Sequence, residues 1–179
     1  MTESSTPSAM AARAAAGLIL RPAAPGDYAR ILEIWAPVYR ETTATFASRE
    51  KTPETLADYV ETRRAAGRET FVAEVDGGLL GFASYDQFRG GDGFVHAMEH
   101  TIILAPEARA RGVGRALMQA VEAHARAAGA HVMVACVSGE NAVGVAFHAA
   151  LGYVETGRMP QVGRKFERWL DLVLMQKML

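Results

Sequence analysis

The chain has 179 residues, enough for one compact domain and too few for two full-sized ones. Half of the residues are hydrophobic and 22% are charged, which is typical of a globular protein and excludes disordered and fibrous chains. Because 19 lysines and arginines stand against 20 aspartates and glutamates, the formal net charge is −1, and we expect no nucleic-acid partner.

Membrane and metal-binding proteins are also disfavoured. No stretch approaches the roughly 18 uncharged apolar residues that a membrane span needs. The single Cys136 cannot form an internal disulfide and belongs to no metal-binding spacing, so we expect a small buried side chain, no metal and a cytoplasmic location. Residues 1–16 are expected to be a disordered leader before one domain over residues 17–179.

The first half of the chain combines helical and extended patterns. Apolar residues repeat at helical spacing after Asp27, and Thr52 before Pro53 is a typical helix start. Thr42–Phe46 is rich in β-branched residues and is expected to be a loop or a short extended piece. The predicted elements are a strand over 18–21, helices over 27–40 and 53–67, and a hairpin with strands over 71–75 and 79–85.

The second half alternates strands with helices. A loop over 88–93 contains three glycines and must turn sharply or move. We place the basic run Arg164, Lys165 and Arg168 between the last two strands. The predicted elements are strands over 98–104, 131–137, 153–159 and 168–177, and helices over 113–128 and 141–151. Their order predicts a single α/β or α+β domain with helices packed on one sheet.

The segment Arg109–Arg115 lies between the fourth strand and the long helix, where free backbone N–H groups and the positive helix end converge. Such a place binds anions. Gly112 and Gly114 have no Cβ, so a phosphate can approach the main chain, and the arginines can add charge-assisted hydrogen bonds. The segment suits a pyrophosphate, although an ordinary basic helix start has the same residue types. Neither a P-loop ending nor a third glycine at dinucleotide spacing is present.

The flanks of this segment resemble the GNAT acetyltransferase superfamily. The Arg/Gln-x-x-Gly-x-Gly pattern follows the fourth strand, and Asn141 leads a helix into Leu151-Gly-Tyr153; the resemblance spans Leu18 to Met178. Within this superfamily, the sequence resembles the phosphinothricin and methionine sulfoximine N-acetyltransferases most specifically. The segments that carry this narrower resemblance are Thr42–Phe46, Glu99-His100, His131–Val134 and Gly163–Asp171.

The resemblance implies a GNAT-type fold, with a mixed, mostly antiparallel sheet of about seven strands flanked by about four helices. It implies acetyl-CoA as co-substrate, with the pyrophosphate on the basic loop and the pantetheine arm along the fourth strand. A homodimer is implied as well, with Gly163–Trp169 near the partner. The implied cofactor residues are Ile102, Ile103, Leu104, Arg109, Arg111, Gly112, Val113, Gly114, Arg115 and Asn141.

Two side chains are candidates for the chemistry. An ammonium must lose a proton before its nitrogen can attack a thioester, and the resemblance marks Glu99 as the general base. The alternative for Glu99 is a structural ion pair with His100 or an arginine. His148 stands where many GNAT enzymes have a tyrosine that protonates the leaving thiolate. An imidazole there can donate that proton, hydrogen-bond the sulfur or simply pack in the helix.

The acceptor is predicted to be the primary amine of a small amino-acid-like molecule. Arginine is well matched to its carboxylate, and Arg89 is the candidate. Where relatives have Phe-Arg-Pro-Arg and a following Tyr-Arg, this chain has Phe88-Arg-Gly-Gly and Phe94-Val, so anion donors are absent. The resemblance also implies substrate contacts from Thr43, Phe46 and Lys165. Two other functions stay open: acetylation of proteins or peptides, and a non-catalytic acyl-CoA sensor.

Overall fold

The computed structural model describes residues 17–179, and the expected leader over residues 1–16 lies outside them. No helix in the described range has the length and apolar character to cross a membrane. The elements are β1 (Ile19–Pro22), α1 (Tyr28–Glu41), α2 (Pro53–Ala65), β2 (Thr70–Val75), β3 (Gly78–Gln87), β4 (Ala97–Leu104), α3 (Val113–Ala127), β5 (Val132–Ser138), α4 (Ala142–Ala150), β6 (Val154–Lys165) and β7 (Arg168–Met178).

The seven strands form one sheet in the order β1-β2-β3-β4-β5-β7-β6. Every neighbouring pair is antiparallel except β4 and β5, which run parallel. A mixed, mostly antiparallel sheet with four helices confirms the predicted fold class.

The helices cover both faces of the sheet. On α3, Val113, Leu117 and Val121 recur every four residues and are fully buried, because this spacing keeps side chains on one helix face. Each such side chain contributes about 1.5–3 kcal/mol of hydrophobic stabilisation. On the opposite face of the sheet, α1 and α2 bury Ile31 and Leu56 in a second cluster. Alternate strand residues join alternate clusters, as a strand period of two requires.

The last hairpin differs from the prediction. β6 continues through Arg164 and Lys165, and β7 begins at Arg168, so the basic run forms paired strand ends and its placement between strands was wrong. Phe166 and Glu167 alone make the turn, with φ of 50° and 60°. Positive φ at both central positions suits the twist of a two-residue hairpin, but this turn normally carries asparagine or glycine. The sequence therefore does not indicate this turn.

The middle of the sheet opens between β4 and β5. The parallel register covers only three pairs and ends at Glu99 opposite Val134. Beyond that point β4 continues to pair with β3 as far as Leu104, and β5 continues with β7 as far as Ser138. Two strands that each keep their outer neighbour therefore separate from one another, which leaves a cleft with two unpaired backbone edges.

A buried polar cluster closes the core beside this cleft. The Tyr153 hydroxyl donates to Glu122 Oε1 at 3.0 Å, and Lys177 Nζ donates to Glu122 Oε2 at 2.6 Å. Burial raises the pKa of Tyr153, so its hydroxyl keeps the proton that it donates. The Tyr153 ring packs edge-on against His148, with 5.4 Å between centroids. The cluster thus ties α3 and β7 to one wall of the cleft.

Replacing Lys177 with methionine should destabilise the protein by about 3 kcal/mol, because the Glu122 carboxylate would stay buried without its counter-charge. Urea unfolding at pH 7 measures the loss. Adding Glu122→Gln should recover part of it, since a neutral amide needs no partner cation and still accepts from Tyr153. A loss below about 0.5 kcal/mol in the single variant would show that the pair contributes nothing.

Candidate active site

The separated edge of β4 forms the first wall of the candidate site. Residues 100–104 lie beyond the last pair with β5, and Thr101–Leu104 are half-buried. This edge includes the predicted pantetheine residues Ile102, Ile103 and Leu104. An unpaired strand edge offers N–H and C=O groups to an extended ligand that carries amides, in the manner of an added strand. A pantetheine arm has that chemistry.

The start of α3 forms the second wall. Ala110 and Gly112 adopt positive φ of 57° and 75°, which turns the chain sharply into the helix. No side chain caps this helix, and the Ala116 amide, 3.1 Å from the Gly112 carbonyl, makes the first bond back along the chain. The N–H groups of Val113–Arg115 therefore precede the helical ladder, and with the helix dipole they have the properties that an anion site needs.

The predicted arginines of this loop have different surroundings. Arg109 is exposed. Arg111 lies 4.0 Å from Asp76, and Arg115 donates to the Ala150 carbonyl at 3.2 Å. Arg109 and Arg111 can therefore swing toward a phosphate at little cost, whereas Arg115 would have to give up a hydrogen bond to α4.

Gly114 joins the two walls. A Cβ at this position would lie 3.0 Å from Leu104 Cδ1 and 3.2 Å from the Phe147 ring, so any larger residue would push these side chains away by a few tenths of an ångström. Glycine lets the helix start lie close to β4 and α4 without this shift. On α4, Asn141 Oδ1 accepts from the Gly144 amide at 2.9 Å, which confirms its predicted capping role. Its contact with a pantetheine amide stays a prediction.

Glu99 lies where the cleft begins. Alternation along β4 places its side chain on the α1 and α2 face, together with Ile103. The carboxyl group is half-buried, and burial is the main reason why its pKa is raised above the ordinary value. The Cys136 thiol of β5 lies beside it and partly offsets the rise in the Glu99 pKa, and burial raises the pKa of this thiol to about 12, so the thiol stays protonated. Cys136 is therefore half-buried beside the candidate base and not the purely packed residue that was predicted.

Charged residues around Glu99 were missed by the sequence analysis. Asp86 stands directly opposite Glu99 in the β3–β4 register. It is paired with Arg68 and, at 3.4 Å, with Arg63 of α2. Arg63 also favours the ionised form of Glu99, which partly offsets the effect of burial on the Glu99 pKa. Hairpin register would have identified Asp86, but nothing in the sequence links α2 to this place.

His148 occupies a buried position on α4, with 6% of its surface exposed. Its Nδ1 lies 2.7 Å from the Gly144 carbonyl, and a carbonyl only accepts, so Nδ1 carries the proton. The neutral ring therefore presents a bare lone pair at Nε2, which is buried and has no partner in residues 17–179. Burial lowers the pKa of His148, which favours this neutral tautomer.

His100, for which the sequence suggests no role beyond a partner for Glu99, stacks on His148. The ring centroids are 4.9 Å apart at 26°. Both ring nitrogens of His100 are buried without a partner among the described residues. Burial, reinforced by the neighbouring imidazole, lowers the pKa of His100 to about 3. The two rings form a neutral pair at the inner end of the cleft, on the face opposite to Glu99.

The predicted substrate residues fall into two groups. Thr43 and Phe46 are half-buried in the α1–α2 connection, and Lys165 reaches this connection from β6. Arg89 is exposed on the β3–β4 loop, 5.7 Å from the Phe94 ring. The structure does not join Arg89 to the other three. Their contacts with substrate stay predictions.

Two surface cavities lie outside the β4–β5 cleft. One of about 430 Å³ flanks α1 at Trp35 and Lys51, and another of about 420 Å³ separates Tyr39 from the hairpin tip at Phe166. Neither is lined by Glu99. Within the described residues no group of three or more His, Cys, Asp or Glu side chains is arranged to hold a metal ion.

A strand edge with free amides, a glycine-containing helix start beside its Leu104 end and a half-buried carboxylate at its Glu99 end together suit an acyl-CoA-like ligand. The family model described as "Acetyltransferase (GNAT) family" matches residues 28–153. The chain therefore belongs to the GNAT acetyltransferase family.

Relatives extend this assignment. The L-methionine sulfoximine/L-methionine sulfone acetyltransferase of Pseudomonas aeruginosa is 40% identical over 161 residues, which cover 88% of this chain and 92% of the relative. The yncA structure of Salmonella typhimurium, solved with its cofactor acetyl-CoA, has a TM-score of 0.86 and 36% identity, covering 90% of this chain and 94% of that one. A Sinorhizobium meliloti phosphinothricin acetyltransferase in complex with acetyl-CoA has a TM-score of 0.86 and 31% identity over 91% and 89% of the two chains.

Because the histidine pair is buried, the free energy of unfolding depends on pH in the acidic range. The pKa of His100 is about 3 in the folded chain against 6.5 unfolded. Between these two pKa values only the unfolded state binds the proton. The free energy of unfolding therefore has its full value above pH 6.5 and falls as the pH decreases below it, by about 1.4 kcal/mol per pH unit for one group. In the His100→Phe variant, this contribution to the slope of unfolding free energy against pH should be absent between pH 6 and 5.

Urea unfolding of the wild type and the variant across this range measures the difference in slope. His131→Phe, which removes an exposed imidazole, is the matched control and should keep the wild-type slope. Parallel slopes in wild type and His100→Phe would contradict the buried neutral state of His100.

Proposed function

We propose that this protein transfers the acetyl group of acetyl-CoA to the primary amine of a small amino-acid-like molecule of the methionine sulfoximine, methionine sulfone or phosphinothricin type. The observation that carries the proposal is Glu99, a half-buried carboxyl group at the point where β4 leaves β5. The names of the relatives support the acceptor class. A cytoplasmic location and a single domain over residues 17–179 accompany the proposal.

The cofactor would be held by backbone groups from both walls. The N–H groups of Val113, Gly114 and Arg115 would bind the pyrophosphate, with Arg109 and Arg111 adding charge. The edge Ile102–Leu104 would pair with the amides of the pantetheine arm, and Asn141 would help to orient them. Positive φ at Gly112 and the tight contact of Gly114 with Leu104 support this arrangement, because they bring the two walls together.

Glu99 would accept the proton of the acceptor's ammonium group, directly or through a water. A raised pKa brings the carboxylate closer to the working pH, where a general base is most effective. The neutral amine then attacks the thioester carbonyl in a ternary complex, the C–S bond breaks, and the thiolate takes a proton.

His148 would contact the sulfur in this scheme. Its neutral tautomer offers only an acceptor at Nε2, so it suits a hydrogen bond from the thiol of the product. Proton donation to the thiolate would require the ring to gain a proton first, which burial opposes.

The hairpin of β6 and β7 supports a homodimer. Val162, Phe166 and Trp169 are exposed, Trp169 to 61%. Neighbouring large apolar side chains of this kind usually mark a protein interface. We propose that a second copy of the chain covers them.

The acceptor class is tested by the release of free CoA from acetyl-CoA. Methionine sulfoximine, methionine sulfone and phosphinothricin should be acetylated, with weaker binding than arginine-rich anion sites give, since each missing charge-assisted bond is worth about 1.5–3 kcal/mol. Peptides with free N-termini and lysines are measured in parallel. Activity confined to the peptides identifies a protein acetyltransferase, and acetyl-CoA binding without turnover of any amine identifies a sensor.

Glu99→Gln should lower kcat/KM about 100-fold or more, because the amide cannot accept the proton, while the affinity for acetyl-CoA stays unchanged. In the wild type kcat/KM should rise with pH through a pKa above 4.5, and this acid limb should be lost in the variant. Glu155→Gln, an exposed glutamate on β6, is the control. Wild-type kcat/KM in Glu99→Gln across pH would remove Glu99 as the base.

A further inference from the structure

Lys165 carries a buried ammonium group with only 4% of the residue exposed. Its Nζ donates to three main-chain carbonyls, those of Val38 at 3.3 Å, Thr42 at 2.7 Å and Thr45 at 2.9 Å. An ammonium group has three N–H donors, so all of them are used. A direct bond to a substrate anion would require one of the three to break.

The positions of the three carbonyls in the chain indicate the role of the ammonium group. Val38 lies in the last turn of α1 and Thr42 is its C-cap, so both carbonyls belong to the helix end, where no intrahelical donor remains. Thr45 lies three residues further along the connection. A cation at a helix C-terminus is also favoured by the helix dipole. Lys165 therefore caps α1 from a strand more than 120 residues away and fixes the first turn of the following segment.

A second contact from the same strand holds the same segment. A Cβ at Gly163 would lie 2.2 Å from Phe46 Cδ2, so the Phe46 ring rests directly on the β6 backbone. Gly163 and Lys165 are two residues apart and therefore share one face of β6. The segment that contains Thr43 and Phe46 has neither helix nor strand hydrogen bonds of its own, and β6 holds it at both ends.

We infer that Lys165 is a positioning residue of the acceptor site: by capping α1 it fixes Thr42–Phe46 in the conformation that receives the amine, and it does not contact the substrate itself. This inference rests on the proposed function and on the substrate contacts of Thr43 and Phe46 that the family resemblance implies. Burying a lysine without a carboxylate partner costs free energy, and neither a substrate contact nor surface solubility accounts for that burial. The capping of α1 does.

Lys165→Met tests the inference. The variant keeps the length of the side chain and removes the three hydrogen bonds, so the KM for the acceptor should rise about tenfold or more, while the KM and Kd of acetyl-CoA stay at wild-type values. Amide hydrogen exchange over residues 42–46 should accelerate, and exchange at the start of α3 should not. Arg158→Met, which changes an exposed residue on the same strand away from the hairpin tip, should leave all of these quantities unchanged.

Gly163→Ala provides a second variant in case Lys165→Met does not fold. Its methyl group displaces the Phe46 ring without touching the ammonium, so the same rise in acceptor KM is expected. An unchanged acceptor KM in either folded variant overturns the inference, as does an equal loss of affinity for acetyl-CoA, which would indicate general destabilisation. A wild-type protein that acetylates no amine would instead defeat the proposed function.

Discussion

Beyond Glu99 and Val134 the strands β4 and β5 stop sharing hydrogen bonds, although each keeps its other neighbour. Half-buried backbone groups without partners are unfavourable, so this separation persists only because packing on both sides of the sheet enforces it. The fully buried α3 residues hold one side, and the α1 and α2 cluster holds the other. What remains is an edge that an amide-containing ligand can complete.

Three features of the site follow from that separation. The helix start at Val113 is brought against Leu104, because Gly114 leaves no side chain between them. The stacked imidazoles of His100 and His148 line the inner end, where β4 and β5 no longer share hydrogen bonds. Glu99 lies at the last paired position, where burial raises the pKa of its carboxyl group and the Cys136 thiol lies beside it. The groups proposed for cofactor binding and for proton transfer therefore lie along one stretch of β4.

The sequence was sufficient where a feature is local. Helical spacing predicts α1 and α3, and Thr52 predicts the start of α2. The anion site at 109–115 stays a prediction. The sequence failed where a feature depends on distant contacts. The stack of His100 on His148 and the burial of Lys165 against Val38 join residues far apart in the chain. The turn at Phe166 and Glu167 escaped prediction because the pairing of Lys165 with Arg168 leaves a two-residue turn, which imposes positive φ on residues that rarely adopt it.

The most direct test of the cleft as the cofactor site is amide hydrogen exchange with and without acetyl-CoA. If the pantetheine arm completes the β4 edge and the pyrophosphate binds the start of α3, the amides of residues 101–104 and 113–115 should exchange more slowly in the complex. Residues 42–46 on the acceptor side should change little. Protection confined to other parts of the chain, or unchanged exchange at saturating acetyl-CoA, would contradict the account.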